Sequence, residues 1–138
     1  MENEKTDRIA AVAPRGNKFA AGVLIANGVF LAVGALILLI AGQRMFGAML
    51  GLPDAAGFLW LLLGVSAAAL MVFSFAAART QHHDFAVAAI VTLLVFQVGS
   101  ALVSFIVGLT TEPLVFANFA PHLVLGILLG IAWWRLHR

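Results

Sequence analysis

Four stretches of this chain, 19–43, 55–78, 85–111 and 113–134, contain no aspartate, glutamate, lysine or arginine. The shortest of them is 22 residues long, and about 20 apolar residues in a helix cross the ~30 Å hydrocarbon layer of a bilayer. A water-soluble four-helix bundle keeps a polar outer face on every helix, and none of these windows supplies one. Composition agrees: 63% of the residues are hydrophobic and 10% charged, against roughly 25% charged in soluble domains. The fold class expected is all-α, an integral membrane four-helix bundle. Its helices run over about 19–41, 55–78, 85–109 and 119–136, and a polar tail occupies 1–18. The first window is too long for the ~7–15-residue core of a signal peptide and is read as a retained helix.

Orientation follows from the basic residues. Lys5, Arg8, Arg15, Lys18, Arg79, Arg135 and Arg138 lie on one side of the four spans, and Arg44 on the other. Cationic residues collect at the cytoplasmic face, so both termini and the loop between helices 2 and 3 are expected there. The sequence pI near 10.0 is explained by the same residues, and no nucleic-acid partner is called for. The absence of cysteine excludes disulfides, thiolate metal sites and iron–sulfur clusters. The absence of tyrosine excludes tyrosyl chemistry.

Local signals set the expected helix ends. Asp54, after Pro53, is read as the cap of helix 2. Arg79 closes that helix, where a cation suits the carbonyl end. Asp84 is read as the cap of helix 3, which leaves Thr80, Gln81, His82 and His83 as a short connection. Asn118 is read as a cap of helix 4, with Pro121 in the first turn, where a missing N–H costs little.

The polar residues inside the spans are few. His82 and His83 are read as solvated loop residues; on a helix their side chains would diverge by about 100° and could not share a metal. His122 is placed about one turn into helix 4. The plain reading is an interfacial histidine bonded to Glu112, Gln43 or a lipid headgroup. The alternative is a ligand, proton-relay or substrate contact, since ionisable residues within the membrane mark function. Gln97, Ser100, Ser104 and Gly108 form one stripe on helix 3. Such a row is either a helix–helix seam or the polar wall of a site for a small ligand such as a quinone. Gly126 and Gly130 make a small-xxx-small pair on helix 4, and Asn27 is read as an interhelical hydrogen bond. No metal site is expected.

The segment VFQVGSALVSFIVGLTTEPLVFANFAPHLVLGILLGI, residues 95–131, together with the four spans and the short 2–3 hairpin, resembles the DoxX-like group of small bacterial membrane proteins. That resemblance implies the bacterial inner membrane and an accessory role in membrane redox systems. Where that group often carries an arginine in helix 3 and an acidic residue early in helix 4, this chain has Ser104 and His122. The first functional expectation is therefore a non-catalytic accessory or assembly subunit, paired with a second copy or a larger membrane protein and holding no cofactor. The alternatives are a quinone- or haem-binding component using His122, Gln97, Ser100 and Glu112, and a small neutral-solute transporter.

Overall fold

The computed structural model describes residues 17–47, 51, 57–110 and 115–138. Among the described residues there are four α-helices, α1 (Lys18–Gly42), α2 (Gly57–Arg79), α3 (His83–Thr110) and α4 (Phe116–Leu136). Each is long and apolar enough to cross a membrane. A π-helical turn, Gln43–Gly47, continues α1. Among the described residues there is no strand.

The helices alternate in direction. Close approaches between α1 and α2 pair Gly28 with Phe75, Gly64 with Leu39 and Gly42 with Trp60, so one number falls as the other rises. The same holds for α3 and α4, where Gly108 meets Phe116 and Gly126 meets Val98. The most extensive contacts join α1 to α2 and α3 to α4; α1–α4 and α2–α3 complete the ring more sparsely. This makes α1 and α3 diagonal partners in an up-and-down bundle.

The ends follow elementary capping, with differences from expectation. Asn17 precedes α1, and its Oδ1 accepts the Ala20 N–H at 3.2 Å, satisfying one of the helix's unpaired donors. The α2–α3 connection is tighter than expected, because His83 already belongs to α3 and Asp84 lies in its first turn rather than capping it. The His82 carbonyl accepts the Ala86 N–H at 3.1 Å, and the His82 N–H donates to Thr80 Oγ1 at 3.1 Å. Asp84 still favours the start of α3 through its charge. The second correction is larger. α4 begins at Phe116, three residues (119 − 116) before the expected start, with no side-chain cap. Pro121 therefore stands in the helix interior, and Asn118 turns its side chain to α3. The expected cap at Asp54 and its neighbour Pro53 lie outside the described residues, as does Glu112.

The apolar core fills the half of the bundle nearer the two termini. Leu24 and Leu31 of α1, Ile90 and Leu93 of α3 and Leu129 of α4 meet there, with Ala77, Ala89 and Ala132 between them. At that end the Arg135 guanidinium lies 4.4 Å from the Phe19 ring centroid, and Arg138 lies 3.5 Å from that of Trp134. Both arrangements suit cation–π attraction. His137 donates from Nδ1 to the Trp133 carbonyl at 2.9 Å.

Candidate functional site

Beyond this core, the buried polar side chains of the described residues gather in the bundle: Asn27, Ser74, Gln97, Ser104 and His122. Four of them form one connected chain. Gln97 Nε2 on α3 donates to Asn27 Oδ1 on α1 at 2.6 Å, across the diagonal. Asn27 Nδ2 donates to Ser74 Oγ on α2 at 3.2 Å. The Ser74 hydroxyl donates back to the Leu24 carbonyl of α1 at 2.8 Å. On the other side, His122 Nδ1 of α4 hydrogen-bonds Gln97 Oε1. A single chain of hydrogen bonds thus touches all four helices.

Its position follows from where each helix begins and ends. Gln97 stands near the middle of α3. Asn27 and Ser74 lie towards the termini end, and His122 towards the opposite end. Unsatisfied amides in such surroundings cost free energy, and here each amide spends its carbonyl and one N–H on other helices. The His122 ring meets Phe30 edge-on with centroids 5.0 Å apart and Phe96 at 6.2 Å. His122 is buried among the helices and bonds Gln97; the expected partner Glu112 lies outside the described residues.

A separate bond joins α3 and α4 nearer the far end, where Asn118 Nδ2 donates to Ser104 Oγ at 3.2 Å. Gly108, one turn on, accepts the Phe116 ring against its backbone. The stripe on α3 therefore splits: Gln97, Ser104 and Gly108 are buried, while Ser100 is half-buried at its margin. A Cβ on Gly126 would lie 3.5 Å from Val98 Cγ2, an ordinary contact, and one on Gly130 would meet nothing within 4 Å. Gly126 thus packs against α3, its Cβ position 4.0 Å from the Val98 backbone nitrogen, while Gly130 faces away from the other helices.

Two concavities are present away from this network. One, of about 30 Å³, lies at the termini end between Asn17, Leu24, Ala77 and Ala86. The other, of about 390 Å³, is an open groove between the far ends of α1 and α2, beside Gln43, Arg44 and Trp60. Neither is lined by His122 or Gln97. Among the described residues no group of three or more His, Asp or Glu side chains is placed to hold a metal. His83 and His137 approach each other with ring centroids 6.2 Å apart.

Ser74 is the member of the network that sequence reasoning misses. A serine in an apolar helix usually bonds its own preceding turn, and Ser66 does so, donating to Leu62 O at 2.9 Å. Thr92 and Thr110 do the same, to Ala88 O and Ile106 O. Nothing in the chain around Ser74 distinguishes it from these. The contrast is testable. Ser74→Ala strands the Asn27 amide and is expected to cost about 1–2 kcal/mol, whereas Ser66→Ala is expected to stay within about 0.5 kcal/mol. Unfolding in mixed micelles followed by circular dichroism measures both; equal effects would mean that the Asn27–Ser74 bond contributes nothing.

Comparison with family models, with curated proteins and with solved structures returns no match. The DoxX-like resemblance gains no support from these comparisons. What the fold defines is a class: an all-α chain with four helices long and apolar enough to span a membrane.

Proposed function

We propose that this chain is a four-pass protein of the bacterial inner membrane with both termini cytoplasmic, acting as a non-catalytic accessory or assembly subunit of a membrane complex. The asymmetry of lysine and arginine supports the orientation. One observation carries the role: the buried polar chemistry is spent on joining α1, α2, α3 and α4 to one another. The outer surface is apolar along every helix, with Leu36, Leu62, Val95 and Ile127 all exposed. A rigid body with an apolar exterior is what a subunit needs if it is to pack against a larger membrane protein or a second copy.

Native mass spectrometry on protein extracted gently from its own membrane tests this. The expected result is one larger membrane protein, or a second copy, at fixed stoichiometry and retained in two different detergents. A bare monomer in both would overturn the proposal.

A second reading, a component that holds a lipophilic redox ligand, is favoured by one specific observation. Gln97 and His122, two of the residues it requires, are in direct contact. The two readings are compatible, since a subunit that packs against a partner can also carry a ligand at its surface.

A further inference from the structure

The direction of the hydrogen-bond chain is decided at one end. A backbone carbonyl can only accept, so the Ser74 hydroxyl must give its proton to Leu24 O, 2.8 Å away. The hydroxyl oxygen is then the acceptor for Asn27 Nδ2. This commits Asn27 Oδ1 to accept from Gln97 Nε2, and Gln97 Oε1 is left facing His122 Nδ1. An amide oxygen also only accepts, so Nδ1 carries the proton. The neutral imidazole with Nδ1–H bears its lone pair on Nε2. Among the described residues, no donor meets that nitrogen. Four helices are therefore organised so that one imidazole presents an acceptor of fixed tautomer.

The surroundings narrow what would use it. His122 follows Phe116 by six residues (122 − 116), about 9 Å of helical rise, and lies within the apolar span of α4. A donor that reaches it from outside the chain enters the apolar span of the bundle. His122 is only 7% exposed, too little for a macrocycle to close over the ring. Phe30 and Phe96 flank the imidazole and offer aromatic edges and faces to a planar guest. Gly34 is one turn beyond Phe30 on α1, and nothing lies within 4 Å of its Cβ position. The α1–α4 seam is also one of the two sparser ones.

We infer that His122 Nε2 is the acceptor of a binding site for a lipophilic phenol of the hydroquinone class, entered between α1 and α4. This inference rests on the second reading above and sharpens it. The reduced form, with its O–H, is held, and the oxidised form, with only carbonyl acceptors, meets a lone pair and is not.

The test uses the full chain in phosphatidylcholine nanodiscs. Three probes are titrated: a short-chain ubiquinol kept reduced under argon, the matching ubiquinone, and the hydroquinone dimethyl ether. The ubiquinol is expected to bind at least about tenfold more tightly than the other two, the ratio that one neutral hydrogen bond sustains. Its binding should move the ¹⁵N resonance of His122 Nε2 and be lost in His122→Phe. The same spectrum of the free protein should show Nδ1 protonated and Nε2 bare. That readout stands whether or not His122→Phe folds, and an Nε2–H tautomer overturns the inference. Equal binding of ubiquinol and ubiquinone through His122 overturns it too, while leaving the second reading in place. Failure of all three to bind removes the inference and, with it, the quinone form of the second reading. None of these results bears on the subunit role, which the native mass spectrum decides separately.

Discussion

Replacing Gln97 with leucine is expected to be among the most damaging single changes in the bundle, at about 2–4 kcal/mol. The side-chain volumes are similar, so little of this comes from a cavity. It comes from two groups on other helices losing their partner at once: Asn27 Oδ1, and the Nδ1–H of His122. Each buried group left unsatisfied costs about 1–3 kcal/mol. Interhelical hydrogen bonds in membrane proteins sit at the low end, near 0.6 kcal/mol on average, because the separated helices find other partners. The Gln97–Asn27 bond crosses the diagonal, where no helix–helix packing of comparable extent backs it up, so little compensates for its loss. The decisive measurement is a double-mutant cycle on unfolding in mixed micelles. Asn27→Leu on its own strands Gln97 and Ser74; combined with Gln97→Leu it should cost clearly less than the two single losses added together. Strict additivity would show that the two amides are not coupled, and the network would then be an alignment of polar groups without mutual support.

The existence of the four helices is plain in the chain, because charge-free windows longer than the bilayer is thick have few other folds open to them. Their ends are less legible, and the reason is chemical. Asp84 and Asn118 have the side chains of caps, but a short polar residue serves equally well in a first turn, and which role it takes depends on contacts elsewhere. Asn118 is drawn into α4 by a bond to Ser104, fourteen residues away (118 − 104) on the neighbouring helix. That error has a consequence at the site. Starting α4 three residues late places His122 about 4.5 Å too near the beginning of the helix, short of the level at which it meets Gln97. Gln97 was less exposed to such an error, since it stands near the centre of a long helix. Its partnership with His122 depends on where both stand along their helices, and the chain makes plain only the position of Gln97.

The second large effect is expected at Gly28, where the most extensive seam of the bundle gives a steric rather than a polar prediction. A Cβ there would stand 2.8 Å from Phe75 Cε1 and 2.9 Å from Cζ, closer than carbon atoms approach without something moving. Gly28 lies on the buried face of α1 beside Asn27, so an outward shift of α1 from α2 would also stretch the Asn27–Ser74 bond. Gly28→Leu is therefore expected to cost about 3 kcal/mol or more, at the upper end of the range for overpacking a core, and to lower the yield of folded protein. Gly28→Ala should cost about 1–2 kcal/mol if the Phe75 ring can swing aside. The discriminating variant is the pair Gly28→Ala with Phe75→Leu, which removes the ring atoms that the new methyl meets. If the seam is limited by that contact, the pair should be more stable than Gly28→Ala with Phe75 intact, even though Phe75→Leu taken singly destabilises. If Phe75→Leu fails to relieve the alanine, the close approach of α1 and α2 is held by other contacts along the seam, and Leu39 against Gly64 becomes the next place to look.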